Sequence, residues 1–399
     1  MKKIALICTN LRGNLGDYAI IDATVQMLCK LYGSDIQVGI AYHGYTGIDI
    51  KRTKKFEDNL PYNTFLDHAT PLYRPSFIIK VLRKLNFSNK NLSKFLFYYT
   101  RFALSFNKEF KKLITWSDIT IIAGGGHYGG LLLASNMLAQ IDYAVSTNKD
   151  VFSFPQTVPL DWFDFMDKKL ITDVLEKLKI FTLRENNSFQ YMKQLNLSNC
   201  YQIADIVFSI ETKQKKLMHI ENDIKKIGIV LADTGSRQGI GYVEKLYDKL
   251  LFIEECGYIP IVITTTESVD EKYLKHLKEL YPQTEIIAPE SWKELISTLG
   301  MLDLVITNRF HGIVFSTIAN VPVLPVVDVP KAKHIAETMG IKNIIEHEND
   351  LDKETLLNAF MYSQDTLKQQ QDYYRFAKQQ LSDLENKLNT YIKVNNNED

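Results

Sequence analysis

The sequence predicts an α/β protein with two parallel-sheet domains, and three observations carry that prediction. Short apolar runs recur along the chain, each followed by a loop bearing Gly, Asn or Pro and then by a helical apolar pattern, which is the grammar of βα units. That grammar is interrupted from Glu211 to Lys226 by a polar, weakly patterned segment and resumes after it. The chain, at 399 residues, is also longer than a single hydrophobic core usually sustains. The expected organisation is an N-terminal domain over 1–210, a linker over 211–226 and a C-terminal domain over 227–399, ending in a charged helical tail over 353–393.

The first strand runs from Ile4 to Cys8, and the loop Thr9 to Asp17 follows it. A helix from Tyr18 to Tyr32 places Ile20, Ile21, Ala23, Val25, Leu28 and Leu31 on a buried face, and Gly33 stops it. The strand-to-loop step returns at Ile119 to Ala123 before Gly124-Gly125-Gly126, at Val151 to Phe154 before Pro155-Gln156, and at Ile180 to Leu183 before Arg184. Beyond the linker, strands are expected at Ile227 to Ala232, Pro260 to Thr264, Leu304 to Thr307 and Val323 to Val327, with helices at Val243 to Cys256 and Asp270 to Leu280. Ligands in open parallel sheets bind beyond the carboxyl ends of the strands, so a site in a central cleft is the natural expectation.

Composition narrows the function classes. Apolar residues make up 45% and charged residues 24%, which excludes fibrous, disordered and disulfide-stapled chains. Lys+Arg 47 against Asp+Glu 47 gives no net field, so nucleic acid is not an expected partner and any basic site must be local. Cys8, Cys29, Cys200 and Cys256 form no CxxC pair and read as buried thiols; no metal site is expected. The N-terminus is a poor signal peptide and no apolar run is long enough to span a bilayer, which points to the cytoplasm.

Three segments carry candidate chemistry. Gly124-Gly125-Gly126-His127-Tyr128-Gly129-Gly130 follows a strand, and its glycines would let backbone N–H groups converge on an anion; the alternative is a tight turn with close helix–sheet packing. It is neither a P-loop nor a dinucleotide fingerprint. Arg309 and His311 sit one residue apart directly after an apolar strand, where Arg suits a two-pronged grip on carboxylate or phosphate and His can move a proton near neutral pH. Arg184 is either another anion ligand or a helix-start residue paired with Glu185, and Lys331 is either a second phosphate ligand or, equally, a solvated lysine beside Lys333.

One local patch stands out. From Arg74 to Lys112 there are ten Lys/Arg against Glu109 alone, interleaved with Phe77, Phe87, Phe95, Phe97, Tyr98, Tyr99, Phe102, Phe106 and Phe110. Cationic and aromatic residues together suit the interface of an anionic membrane; the alternatives are RNA binding and a solvated helical face.

Taken in order, Asn14-Leu15-Gly16-Asp17, the Gly124-Gly125-Gly126 loop, Phe154-Pro155-Gln156-Thr157, Arg184-Glu185, Ala204-Asp205, Arg309-Phe310-His311-Gly312 and Val321-Pro322-Val323 resemble the polysaccharide pyruvyltransferases, over residues 4–335. The resemblance implies two Rossmann-like domains in a GT-B-like arrangement. It also implies transfer of pyruvate from phosphoenolpyruvate onto two hydroxyls of a sugar, as a ketal, in exopolysaccharide or capsular polysaccharide biosynthesis.

By the same resemblance Arg184, Arg309 and Lys331, with Gly124, Gly125 and Gly126, hold the donor, and His311 is the acid. Asn14, Asp17, His127 and Gln156 fall on the acceptor side or in the cleft. The lysine spacing in Asp328-Val329-Pro330-Lys331 departs from the family pattern, which leaves Lys333 as an alternative. No cofactor is implied beyond phosphoenolpyruvate as substrate. Arg184→Ala and Arg309→Ala are expected to abolish donor binding and leave folding intact.

The acceptor is expected to be a cell-surface glycan precursor, and an oligosaccharide on a polyprenyl diphosphate would account for the basic segment by keeping the protein at the inner membrane face. Two alternatives stand beside this reading: a glycosyltransferase of the same architecture that uses a nucleotide sugar, and a non-catalytic glycan- or membrane-binding protein.

Overall fold

A computed structural model of the chain describes residues 1–11, 13–33, 35–43, 56, 64–70, 73, 75–126, 128–147, 150–211, 225–230 and 242–395. The chain divides into two units: Met1–Arg12, Asp17–Ile210 and Gln379–Asp399 form the first, and Gly13–Gly16 with Glu211–Lys378 the second. Nearly all of the expected linker, 212–224, lies outside the described residues, as do Arg74, His127 and the 231–232 end of the strand expected from Ile227 to Ala232.

In chain order the first unit contains β1 (Lys2–Asn10), α1 (Leu15–Tyr32), β2 (Ile36–His43), β3 (Thr64–Thr70), α2 (Ser76–Lys84), α3 (Asn89–Phe106), α4 (Lys108–Trp116) and β4 (Ile119–Ile122). It continues with α5 (Leu131–Val145), β5 (Asp150–Gln156), α6 (Trp162–Phe165), α7 (Lys168–Leu175), β6 (Ile180–Leu183), α8 (Asn186–Met192) and β7 (Cys200–Gln202). The strands form one sheet in the order β3-β2-β1-β4-β5-β6-β7. Every neighbouring pair is parallel. β4 and β6 are buried along their whole length, which is why they read as unbroken apolar runs.

The second unit contains β8 (Lys226–Val230), α9 (Tyr242–Glu255), β9 (Ile259–Ile263), α10 (Glu267–Leu280), β10 (Glu285–Ile287), α11 (Trp292–Leu299), β11 (Leu304–Thr307), α12 (Phe310–Ile318) and β12 (Val323–Pro325). Three helices follow: α13 (Pro330–Met339), α14 (Lys353–Met361) and α15 (Ser363–Asn395). The sheet order is β10-β9-β8-β11-β12, again all parallel. Strand order reverses between β1 and β4 in one sheet and between β8 and β11 in the other, the positions where open parallel sheets bind ligands.

The tail departs from expectation. It is two helices, and the last part of α15 groups with the first unit rather than the second. The cause is a change of anchors along one helix. Gln370, fully buried, accepts from the Val323 amide (3.2 Å) and donates to Thr317 Oγ1 and the Val321 carbonyl (3.1 Å each). Further on, Leu381, Leu384 and Leu388 are buried, Gln380 accepts from the Ala204 amide (3.0 Å), and Glu385 pairs with Lys30 at 2.7 Å.

The basic segment is also less uniform than its sequence suggests. Phe97 and Phe110 belong to the core, Lys94 pairs with Asp167 (2.9 Å), and Arg101 pairs with Asp142 (3.0 Å). All four cysteines are free, but Cys8 alone is fully buried; Cys29, Cys200 and Cys256 are half-buried. Burial pushes the Cys8 thiol well above its ordinary range and the Cys200 thiol up to about 12, so both stay protonated at neutral pH.

Candidate functional site

The site in the second unit is built where β11 ends. Thr307 Oγ1 donates to the Val230 carbonyl of β8 (2.6 Å) and accepts from the Arg309 amide (3.1 Å), fixing the strand end and the start of α12 together. Gly312 makes this approach feasible, because a Cβ there would lie 2.3 Å from Thr307 Oγ1. Arg309 is the N-cap residue of α12, with φ −87° and ψ 131°, and His311 lies in the first turn. Two chemically active side chains are thus presented at the positive end of a helix dipole, on a rigid strand-to-helix junction.

Arg309 is held by a network that the sequence did not disclose. Its Nη1 donates to Thr266 Oγ1 (3.2 Å) and its Nη2 to Asp270 Oδ2 (3.4 Å). Asp270 also accepts from Thr264 Oγ1, and that hydroxyl accepts from the Thr266 amide at 3.2 Å. The Arg309 and Asp270 side chains are 14% and 11% exposed, so the pair works with little solvent screening. The run Thr264-Thr265-Thr266-Glu267 at the end of β9 was the available signal, but its pairing with Arg309 through Thr266 spans 43 positions and depends on the β9-β8-β11 strand order.

The His311 ring packs on the edge of Phe310 (centroids 5.1 Å apart) and beside Phe315 (5.9 Å). Its third wall is backbone: a Cβ on Gly16 would come within 2.1 Å of His311 Nδ1. Gly16 is set in place by its own amide, which donates to Asn14 Oδ1 (3.0 Å), and by the Leu15 amide, which donates to the Thr265 carbonyl (3.1 Å). Asn14, assigned to the acceptor side, therefore acts on the segment against which the His311 ring packs. Asn308 donates to Asp328 Oδ1 at 3.4 Å, bringing the following loop to the same strand end. Lys331 is exposed in the first turn of α13, whereas Lys333 is paired with Glu346 at 3.4 Å.

The remaining predicted residues lie in the first unit. The Gly125 amide donates to the Pro155 carbonyl (3.0 Å), its carbonyl accepts from the Thr157 amide (2.8 Å), and a Cβ on Gly124 would meet the Pro155 carbonyl at 3.0 Å. Here the glycines serve strand pairing and close packing, and the Gly125 donor expected to face an anion is engaged. Gln156 is fully buried and donates to the Ala123 carbonyl, a structural bond within the strand ends. Asp17 accepts from Asn10 Nδ2 at 2.7 Å.

Arg184 is 3% exposed. Its Nε donates to Glu185 (2.9 Å) and Thr157 (2.7 Å), and its Nη1 donates to Asp205 (2.6 Å). Glu185 and Asp205 are themselves 0% and 2% exposed. Despite the cost of burial, these two carboxylates hold the Arg184 guanidinium in its charged form, above its ordinary range.

The structure therefore brings together Asn14, Arg309 and His311 within the second unit and adds Thr266 and Asp270, while Gly124, Gly125, Gln156 and Arg184 form a buried group within the first unit. Among the described residues no cluster of His, Cys, Asp and Glu has the arrangement of a metal site.

Comparison with known proteins follows the same division between fold and chemistry. A family model described as polysaccharide pyruvyl transferase matches residues 14–328. General stress protein 30 of Bacillus subtilis (strain 168) is 22% identical over 253 residues, 62% of this chain and 68% of that protein. Among solved structures, the UDP-GlcNAc 2-epimerase of Neisseria meningitidis bound to UDP-GlcNAc is 12% identical, with a TM-score of 0.58 over 97% of this chain and 100% of that one. A UDP-glucosyltransferase of Polygonum tinctorium is 8% identical, with a TM-score of 0.55 over 97% and 98%. These structural likenesses bear on the fold, which is that of GT-B-type epimerases and glycosyltransferases.

Proposed function

This chain belongs to the polysaccharide pyruvyl transferase family, and on that premise we propose that it transfers the pyruvyl group of phosphoenolpyruvate to two hydroxyls of a sugar, releasing phosphate. The observation that carries the reading is the pairing of a fixed guanidinium, Arg309, with an imidazole, His311, at the start of α12. Phosphoenolpyruvate offers two anionic groups on a three-carbon frame. Arg309, held by Thr266 and Asp270, meets one of them with little freedom left to lose on binding.

Protonated His311 gives its proton to the methylene carbon, which becomes a methyl group while the adjacent carbon becomes electrophilic. One sugar hydroxyl adds there and releases its proton. The second hydroxyl displaces phosphate, and the products are a cyclic ketal and inorganic phosphate. Charge that develops along this path is met by Arg309 and by the N-terminus of α12, both fixed before the substrate arrives. Lys331, exposed in the first turn of α13, is the lysine we assign to the phosphate. Arg184 is assigned a positioning role in the first unit. The acceptor in this reading is a precursor of a surface glycan carried on a lipid.

Ligand-induced thermal stabilisation tests the donor. Phosphoenolpyruvate is expected to raise the melting temperature of the wild type and to leave Arg309→Ala unmoved, because only a ligand of the folded state stabilises it. A rise with UDP-GlcNAc and none with phosphoenolpyruvate would assign the site to a nucleotide sugar. Gly16→Ala tests the seat of His311: a methyl group cannot occupy space 2.1 Å from Nδ1, so the ring must move. A displacement of about 1 Å is expected to lower kcat ~100-fold with donor stabilisation retained, since Arg309 is undisturbed. Wild-type turnover in Gly16→Ala would remove His311 from the reaction.

A further inference from the structure

Helix α2 (Ser76–Lys84) buries none of its residues. Ile78, Val81, Leu82 and Leu85 recur at helical spacing with Phe77 beside them; Lys84 flanks this face, and Lys80 and Arg83 fall opposite it. Phe77 is 78% exposed and Leu85 64% exposed, and Phe87 just beyond is exposed too. A helix with this much apolar surface ordinarily packs it against a core; here the core-facing work of the segment is done by α3 and α4, through residues such as Leu96, Leu104 and Phe110. No Asp or Glu occurs from Pro75 to Lys108, so every charge this stretch itself carries is positive.

Beside α2 lies a groove of about 590 Å³ lined by Ile79, Lys80, Arg83, Leu96, Leu131 and Leu133. Two cations and five aliphatic side chains, Leu132 included, meet there, the pairing found where a lipid's phosphate joins its hydrocarbon chain. None of the described helices is long and apolar enough to cross a membrane.

We propose that α2 is a membrane-docking helix for an anionic lipid bilayer. Phe77, Ile78, Val81 and Leu85 enter the boundary between headgroups and acyl chains, Lys80, Arg83 and Lys84 meet lipid phosphates, and the groove takes up part of a lipid chain. A second copy of this chain is a poor occupant, since symmetric pairing through α2 would bring two sets of like charges together. The argument stands on α2 and its groove, without the transferase reading.

Co-sedimentation of the full chain with vesicles tests it. Binding is expected to vesicles of equal parts phosphatidylglycerol and phosphatidylethanolamine at low salt, and to weaken as salt rises. Pure phosphatidylcholine vesicles are expected to leave the protein in solution. K80E/R83E/K84E is expected to bind the anionic vesicles ~100-fold more weakly or worse, from the loss of three surface cations. F77S/V81S/L85S is expected to lose the binding that survives at high salt. Both triple variants change exposed residues and should keep the wild-type melting temperature, which separates loss of docking from loss of fold.

Equal binding to phosphatidylcholine, or wild-type binding by both variants, would overturn the proposal. So would a dimer in analytical ultracentrifugation that F77S/V81S/L85S abolishes, with no vesicle binding at any salt. Retained stabilisation by phosphoenolpyruvate alongside a failed vesicle experiment would refute docking and leave pyruvyl transfer standing, and the reverse pattern would do the opposite.

Discussion

Arg184→Ala is expected to destabilise the first unit by about 3–5 kcal/mol, the usual cost of removing one partner from a buried ion pair. The expectation follows from what is left behind. Glu185 and Asp205, 0% and 2% exposed, would retain their carboxylates with the guanidinium between them gone, and Thr157 would lose the Arg184 Nε donor. For a unit of this size each kcal/mol moves the melting temperature by about 2–4 °C, so a fall of ~6–20 °C should be visible by calorimetry.

This reverses the expectation from sequence that the fold would tolerate the change. Arg184→Met combined with Glu185→Gln and Asp205→Asn removes all three charges at once and should recover much of the loss, since burying ions brings little net stability over neutral side chains that pack as well. A melting temperature within ~2 °C of wild type for Arg184→Ala, together with loss of stabilisation by phosphoenolpyruvate, would return Arg184 to the donor site.

The contrast between Arg184 and Arg309 also shows what the sequence could disclose. Both follow a buried apolar strand, and both are written as an Arg at a strand end, so local pattern treats them alike. Pairing between Arg184 and its neighbour Glu185 was visible as one alternative, but the decisive partner, Asp205, is 21 residues away and is delivered by the loop after β7, the strand that pairs with β6. Asp270 was illegible for the same reason, since it reaches Arg309 from the next strand but one in the sheet order β10-β9-β8-β11-β12.

Strands buried on both faces were legible because burial alone dictates their composition, and β6 and β11 occur with the bounds expected of them. Short edge strands such as β10, Glu285–Ile287, have too little burial to impose a pattern. The tail failed differently. Its helical period was readable, but periodicity does not reveal that Gln370 and Leu384 anchor to different units. In the basic segment, composition counted every cation and ring alike, whereas packing took Phe97 and Phe110 into the core and paired Lys94 with Asp167 and Arg101 with Asp142, leaving α2 among the exposed remainder.

His311→Gln is expected to lower kcat by about 10²–10⁴-fold, the range that a positioned general acid contributes, with little change in donor affinity. Gln keeps a planar polar group of similar reach in the space bounded by Phe310, Phe315 and the Gly16 backbone, but it cannot carry a transferable proton. Arg309→Ala should give the complementary result, with donor binding lost first, because its guanidinium is fixed by Thr266 and Asp270 and not by the imidazole. Asp270→Asn should fall between them: the arginine remains but loses its charged anchor, so KM for the donor rises more than kcat falls.

The three variants together separate gripping from proton transfer. If His311→Gln instead raised KM with kcat unchanged, His311 would be a binding group and the proton would have to come from elsewhere at the end of β11. Solvent exchange gives an independent check, since protonation at the methylene carbon in deuterated water must place deuterium in the ketal's methyl group. With wild-type enzyme that label is expected in the product, and a product methyl without it would exclude the addition step on which the role of His311 depends.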